Sequence, residues 1–239
     1  MKKGDMRREE LLAAAEKLFY VKGYEKTSVQ DILTAVGFSK GGFYHHFDSK
    51  LAVLEAICEN RAREVLEQAK AAVGGQQGAV NKLNALLHDA AFFTGGSQSF
   101  VVLLIQVAYR EDGALMREKM KARQLEYMQG ILEEILEEGV RTQAFFLTDI
   151  SVSAQMLLRL YMQFADDIAF LLAQEESEER MMDAMIAKLR VYRTAIERVL
   201  VAPFGSIVLF DAKELQLLAQ GILARRLRER ADAMLSAQA

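Results

Sequence analysis

The chain has 239 residues, 51% of them hydrophobic and 26% charged, a composition ordinary for a folded globular protein. A formal net charge of −3 does not mark a nucleic-acid binder, and a single cysteine, Cys58, excludes an internal disulfide framework. No apolar run reaches membrane-spanning length and the N-terminus lacks the apolar segment of a signal peptide, so no membrane partner and a cytoplasmic location are expected. The charge is uneven: residues 1–50 hold nine Lys/Arg against seven Asp/Glu, while the remainder is net acidic.

Leu11, Ala15, Leu18 and Phe19 make the i, i+4, i+7, i+8 stripe of a helix over 6–22. Lys17 and Lys22 suit its C-terminal dipole, and Gly23 is a natural stop. Thr27 with Gln30 fits a capping box, opening a short helix with Val29, Ile32, Leu33 and Val36 on its apolar side. Gly37 supplies a turn. Ser39 then caps a third helix, whose Phe43 and Phe47 lie at i, i+4. Three short helices so spaced form a compact module ending in a helix-turn-helix.

A longer helix is expected from Asp48, with Leu51, Leu54, Ile57, Val65 and Leu66 on one side and Cys58 packed among them, ending near Gly74-Gly75. Further helices are expected over 79–93, 97–110 and 113–142, the last weakened locally by Gly130 and Gly139. Asp149 or Ser151 caps a helix to about 174. Ser177 starts another, ended by Pro203. Asp211 with Glu214 opens a final helix, and the apolar run Ile207–Phe210 before it reads equally as a short strand or a buried loop.

The residues Gly23-Tyr24, Thr27-Ser28-Val29, Asp31-Ile32, Gly37-Phe38-Ser39-Lys40-Gly41 and Tyr44-His45-His46-Phe47-Asp48-Ser49-Lys50 resemble the signature of the TetR/AcrR family of transcriptional regulators. Leu33 and Val36 stand where that family usually has alanine, and both stay apolar. Beyond residue 60 the resemblance lies only in the order and length of helices. It implies an all-α fold: a helix-turn-helix DNA-binding domain over 1–50 with a connecting helix at 48–72, then a ligand-binding and dimerisation domain over 51–239. The helix after Pro203 is an addition to the minimal plan.

A recognition helix must bring its first turns to base edges in the major groove. Gly41 and Gly42 each cost about 1 kcal/mol of helix propensity relative to alanine, and their use is close approach of backbone to another surface. Lys40 can reach a phosphate or the O6/N7 edge of guanine, and His45 can offer a ring N–H. Gln30, Lys40, Gly42 and His45 are the expected sequence readers. By resemblance, Tyr44, His46 and Lys50 contact the DNA backbone, and Thr27 and Gln30 contact it from the start of the second helix, where free N–H groups favour phosphate. Ser28, Ser39 and Gly41 complete the expected DNA-facing set. Adjacent His45 and His46 point to different faces, so no metal is expected, and no cofactor either.

One such module binds weakly alone. Two of them held ~34–36 Å apart match a palindromic operator, so a homodimer is expected. The helices over about 151–174 and 178–201 are the expected partners in a four-helix bundle, through Met156, Leu157, Leu160, Met181, Met185, Ile186, Leu189 and Ile196. The resemblance also implies a pocket for a small apolar or amphipathic effector that releases a repressor from DNA. Its candidate lining is Phe92, Phe93, Phe100, Tyr109, Tyr127, Phe145, Tyr161 and Phe164. His88 reads as a satisfied core or surface histidine.

An enzyme is disfavoured. The acidic pairs Asp166-Asp167, Glu133-Glu134 and Glu137-Glu138 have no histidine at metal spacing, and no phosphate loop or nucleophile arrangement stands out. The other alternative is a helical adaptor that uses the N-terminal module for protein contact.

Overall fold

Apolar residues recur at helical spacing in segment after segment, and the single proline, Pro203, falls after residue 200. The structure, a computed structural model, describes residues 3–89, 114–174, 177–210 and 212–237. Among the described residues there are nine helices and no strand: α1 (Lys3–Lys22), α2 (Val29–Val36), α3 (Lys40–Tyr44), α4 (Lys50–Gly74), α5 (Ala79–Asp89), α6 (Ala114–Arg141), α7 (Ile150–Ala173), α8 (Glu178–Leu200) and α9 (Ala212–Ala237). The helix expected over 97–110 lies outside the described residues, as do Phe92, Phe93, Phe100, Tyr109 and Asp211.

Two compact units divide the chain. The first comprises Met1–Glu64 and Gln106–Tyr127; the second comprises Val65–Ile105 and Met128–Ala239. In the first, α1 packs on α2, and Leu11, Ala15, Phe19, Ile32, Leu33, Phe43, Val53 and Leu54 are at most 2% exposed. Burying each large side chain of this kind contributes about 1.5–3 kcal/mol. The stripe of α4 is rotated from the expected one: Leu51 is exposed, and Val53, Leu54, Ile57, Cys58 and Ala62 face inward. A polar tie fastens α1 to α4, with Arg61 Nε donating to Glu16 Oε1 at 2.7 Å and the Tyr20 hydroxyl donating to the same oxygen at 3.1 Å.

In the second unit α8 packs against both α7 and α9. Asp149 is the N-cap of α7, its Oδ1 accepting the Val152 N–H at 2.8 Å, and Ser177 caps α8. Helix α8 stops three residues before Pro203: Val201 turns left-handed at φ 53°, and the Ala202 N–H reaches the Glu197 carbonyl at 2.8 Å. Residues 207–210 form a loop, not a strand, with Ile207, Leu209 and Phe210 buried. Gly139 is a requirement rather than a weakness, because a Cβ there would collide with the ring of Phe145. Buried Leu215, Leu218, Ala219 and Ile222 give α9 its packed face, and His88 Nε2 lies 2.9 Å from Glu214 Oε2 of α9.

Candidate DNA-binding site

Helix α2 begins one residue later than its sequence suggests. Ser28 is the N-cap: its Oγ accepts the Asp31 N–H at 3.1 Å, and Asp31 Oδ2 accepts the Ser28 N–H at 2.7 Å. Lys22, at the end of α1, donates to the same carboxylate at 2.7 Å. These bonds hold the Asp31 carboxyl well below the usual carboxylate range, the ammonium of Lys22 being the first cause. Thr27 does something else. It is 1% exposed, and its hydroxyl donates to the Gly23 carbonyl at 2.7 Å, satisfying an orphan acceptor at the end of α1. It therefore does not cap α2, and its hydroxyl is committed to the scaffold.

Gly37 closes α2 in the left-handed region at φ 67°, with its N–H on the Leu33 carbonyl. Ser39 then caps α3, accepting the Gly42 N–H at 3.2 Å. Phe43 and Phe47 point inward, 0% and 6% exposed, with ring centroids 6.2 Å apart. They anchor a five-residue helix too short to persist alone.

The opposite side of α3 is open. Lys40, Gly41, Tyr44 and His45 are exposed, Gly42 and His46 half-buried. Tyr44 is 54% exposed although it is a large aromatic, and its ring meets Phe43 edge-on at 5.3 Å. No ion pair of Lys40 is found among the described residues. Gln30, on the exposed side of α2, is held only by a long 3.5 Å contact to Thr34 Oγ1. Neither Gly41 nor Gly42 has a positive φ. A Cβ at Gly41 would meet nothing within 4 Å, and one at Gly42 only Ser39 Oγ at 3.5 Å. The fold itself therefore gives no reason for two helix-weakening glycines here.

Lys50, expected to contact the DNA backbone, also has a partner within the module. Its ammonium donates to the Tyr24 carbonyl at 2.8 Å and sits 4.2 Å from the centre of the Tyr24 ring, fastening the start of α4 to the turn after α1. Two arginines not singled out from the sequence join the module: Arg7 lies over Phe38 at 5.0 Å and Arg8 over Phe47 at 5.1 Å. Their signal was the basic pair at the start of α1, which periodicity alone assigns to a solvated face.

The other expected sites are dispersed. Tyr127 belongs to the first unit, where its hydroxyl donates to Glu59 and accepts from Arg63 Nε at 3.2 Å. Phe145, Tyr161 and Phe164 are buried in the second unit. The Tyr161 hydroxyl is committed to the Leu87 carbonyl at 2.8 Å, and burial pushes its pKa upward. Of the expected interface residues, Leu157, Met181, Met185 and Ile196 are at most 2% exposed and pack within the chain's own core. Met156 is 44% exposed, and Leu160, Ile186 and Leu189 are half-buried. No group of three metal-ligating side chains occurs among the described residues, and no described helix is long and apolar enough to cross a membrane.

The signature of "Bacterial regulatory proteins, tetR family" matches residues 11–57, the stretch that contains α2, α3 and their buried anchors. An uncharacterized HTH-type transcriptional regulator of Bacillus subtilis, YvdT, is 25% identical over 66% of this chain and 84% of its own length. The HTH-type transcriptional repressor KstR2 of Rhodococcus jostii is 47% identical over 51 residues, so the match spans 21% of this chain and only 25% of that protein. The crystal structure of a TetR-family transcriptional regulator from Pectobacterium atrosepticum superposes with a TM-score of 0.59 at 19% identity, covering 84% of this chain and 97% of that one. Residues 11–57 thus carry the helix-turn-helix signature of the TetR family of bacterial regulatory proteins, and the helical plan of the chain is similar to the fold of a TetR-family regulator.

Proposed function

We propose that this protein is a sequence-specific DNA-binding transcriptional regulator, a homodimeric repressor that binds a palindromic operator and is released by a small apolar or amphipathic effector. The observation that supports it most is the pair Gly41-Gly42: a costly choice in a helix, unneeded by the fold, on the exposed side of α3. Glycine there lets backbone approach a base-pair edge. Around it Lys40, Tyr44, His45 and His46 supply charge and hydrogen-bond donors, and Ser28, Gln30 and Ser39 line the starts of the two motif helices. In this reading Gln30, Lys40, Gly42 and His45 read sequence, while Tyr44 and His46 set position on phosphates. Thr27 and Lys50 also have partners within the scaffold.

Dimerisation supplies the second half-site. Val152, Met156 and Phe170 fall on one face of α7 by helical spacing and are 62%, 44% and 57% exposed. A second copy covers them. The effector acts by binding more tightly to a dimer whose recognition helices are wrongly spaced.

The test is selection of duplexes from a genomic library with the purified protein, followed by titration at several salt concentrations. Affinity should fall steeply with salt as counterions are released, and Lys40→Ala and Tyr44→Ala should each weaken binding by about tenfold. No selected duplex, or affinities unchanged in both variants, would contradict the reading and favour a protein-binding module.

A further inference from the structure

The loop from Val201 to Phe210 folds back over the last turns of α8 and is latched from two sides. Glu197, 3% exposed, accepts through Oε1 the N–H of Gly205 at 2.8 Å and of Ile207 at 3.3 Å. Asn84 of α5 donates to the Ser206 carbonyl at 2.8 Å and accepts the Val208 N–H at 2.9 Å. The loop opens on Val201, whose φ of 53° is an unfavourable conformation for a β-branched residue.

Between this loop and α8 lies a cleft of about 310 Å³ lined by Thr194, Glu197, Arg198, Val201, Ala202 and Phe204. That volume is at the lower end for small-molecule sites. Its apolar wall faces water: Val201 is 60% and Phe204 79% exposed. The polar side is unevenly charged. Glu197 is answered by the two loop N–H groups and by Arg193, whose Nε lies 3.8 Å from Oε1 and whose guanidinium lies over the Phe204 ring at 5.3 Å. Arg198 is exposed and has no ion pair among the described residues, so the cleft carries one unanswered positive charge. Of the lining residues, Glu197 keeps one buried carboxylate oxygen, Oε2, without a hydrogen-bond partner.

We propose that this cleft binds a small amphipathic carboxylic acid, an aromatic or short aliphatic acid, with its carboxylate on Arg198 and its apolar body against Val201, Ala202 and Phe204. A planar guanidinium can hold a carboxylate through two hydrogen bonds, which fixes orientation as well as charge. The site lies wholly within the second unit and does not depend on the DNA-binding reading.

The experiment is calorimetric titration of the full chain with 3-phenylpropanoate, its neutral amide and the corresponding primary amine. The acid should bind saturably, and the amide and amine at least about tenfold more weakly. Arg198→Gln and Phe204→Ala should each weaken the acid by about tenfold or more. Arg190→Gln, an exposed arginine two turns earlier on α8, should leave it unchanged. Arg198 and Phe204 are exposed, so both variants should keep the wild-type Tm, which is measured alongside. Absence of saturable acid binding at millimolar concentration overturns the proposal. So does equal or tighter binding of the amine, or acid affinity unchanged in Arg198→Gln and Phe204→Ala.

Discussion

Four glycines show how differently one residue type is used. Gly37 is required by its backbone, at φ 67°, and Gly139 by the ring of Phe145 pressed against it. Gly41 and Gly42 are required by neither, and this leaves the outer surface of α3 as their reason. Cys58 illustrates the opposite case, a reactive group with no outlet. Burial, together with the nearby carboxylates of Glu16 and Glu55, pushes its thiol up to about 12. The thiol should therefore resist a disulfide reagent at neutral pH in the native protein and react fully in denaturant. Rapid labelling of the folded chain would contradict the buried placement. The sequence already located Cys58 in the core through Leu54 and Ile57. It misplaced the α2 cap by one residue, because Thr27 and Ser28 have similar capping chemistry and only the depth of the Thr27 hydroxyl distinguishes them.

At the scale of elements, helix starts and stops were legible where a single residue decides them, by its backbone at Gly23 and Gly37 and by its side chain at Ser39 and Ser177. Faces were less so. On α7 and α8 apolar residues occupy more than one side, and periodicity cannot say which side the chain itself covers. Leu157, Met181, Met185 and Ile196 are taken up internally, while Val152 and Phe170, not chosen from the sequence, remain exposed. Leu51 was misassigned for the same reason. The end of α6 offers a direct check. Gly139→Ala adds a methyl where the Phe145 ring already sits, and should destabilise the protein by about 1–3 kcal/mol despite better helix propensity. A denaturant midpoint equal to or above the wild type would show that the ring moves aside freely.

At the scale of the whole molecule, a DNA-binding module of some fifty residues gains affinity and selectivity only when a second copy is set at the operator spacing. The exposed face of α7 is the surface proposed for that pairing. Phe170→Glu and Met156→Glu should shift sedimentation at micromolar concentration from dimer to monomer, with helical content retained. A monomeric wild type, or dimers untouched by both changes, would count against it. The all-α plan and the module were legible because they rest on local spacing. An effector pocket was not, since aromatics that line a cavity and aromatics that fill a core share the same spacing, and Phe145 and Phe164 are buried.

The most direct measurement concerns Gly42. Gly42→Ala introduces a Cβ that the fold accommodates, 3.5 Å from Ser39 Oγ, and gains helix propensity. Fluorescence anisotropy with a selected operator duplex, read beside the Tm, separates folding from recognition. The account predicts an unchanged or higher Tm and an affinity about tenfold or more below wild type, roughly 1.4 kcal/mol of lost binding. Wild-type affinity in Gly42→Ala would mean that α3 does not approach DNA closely, and would contradict the central claim.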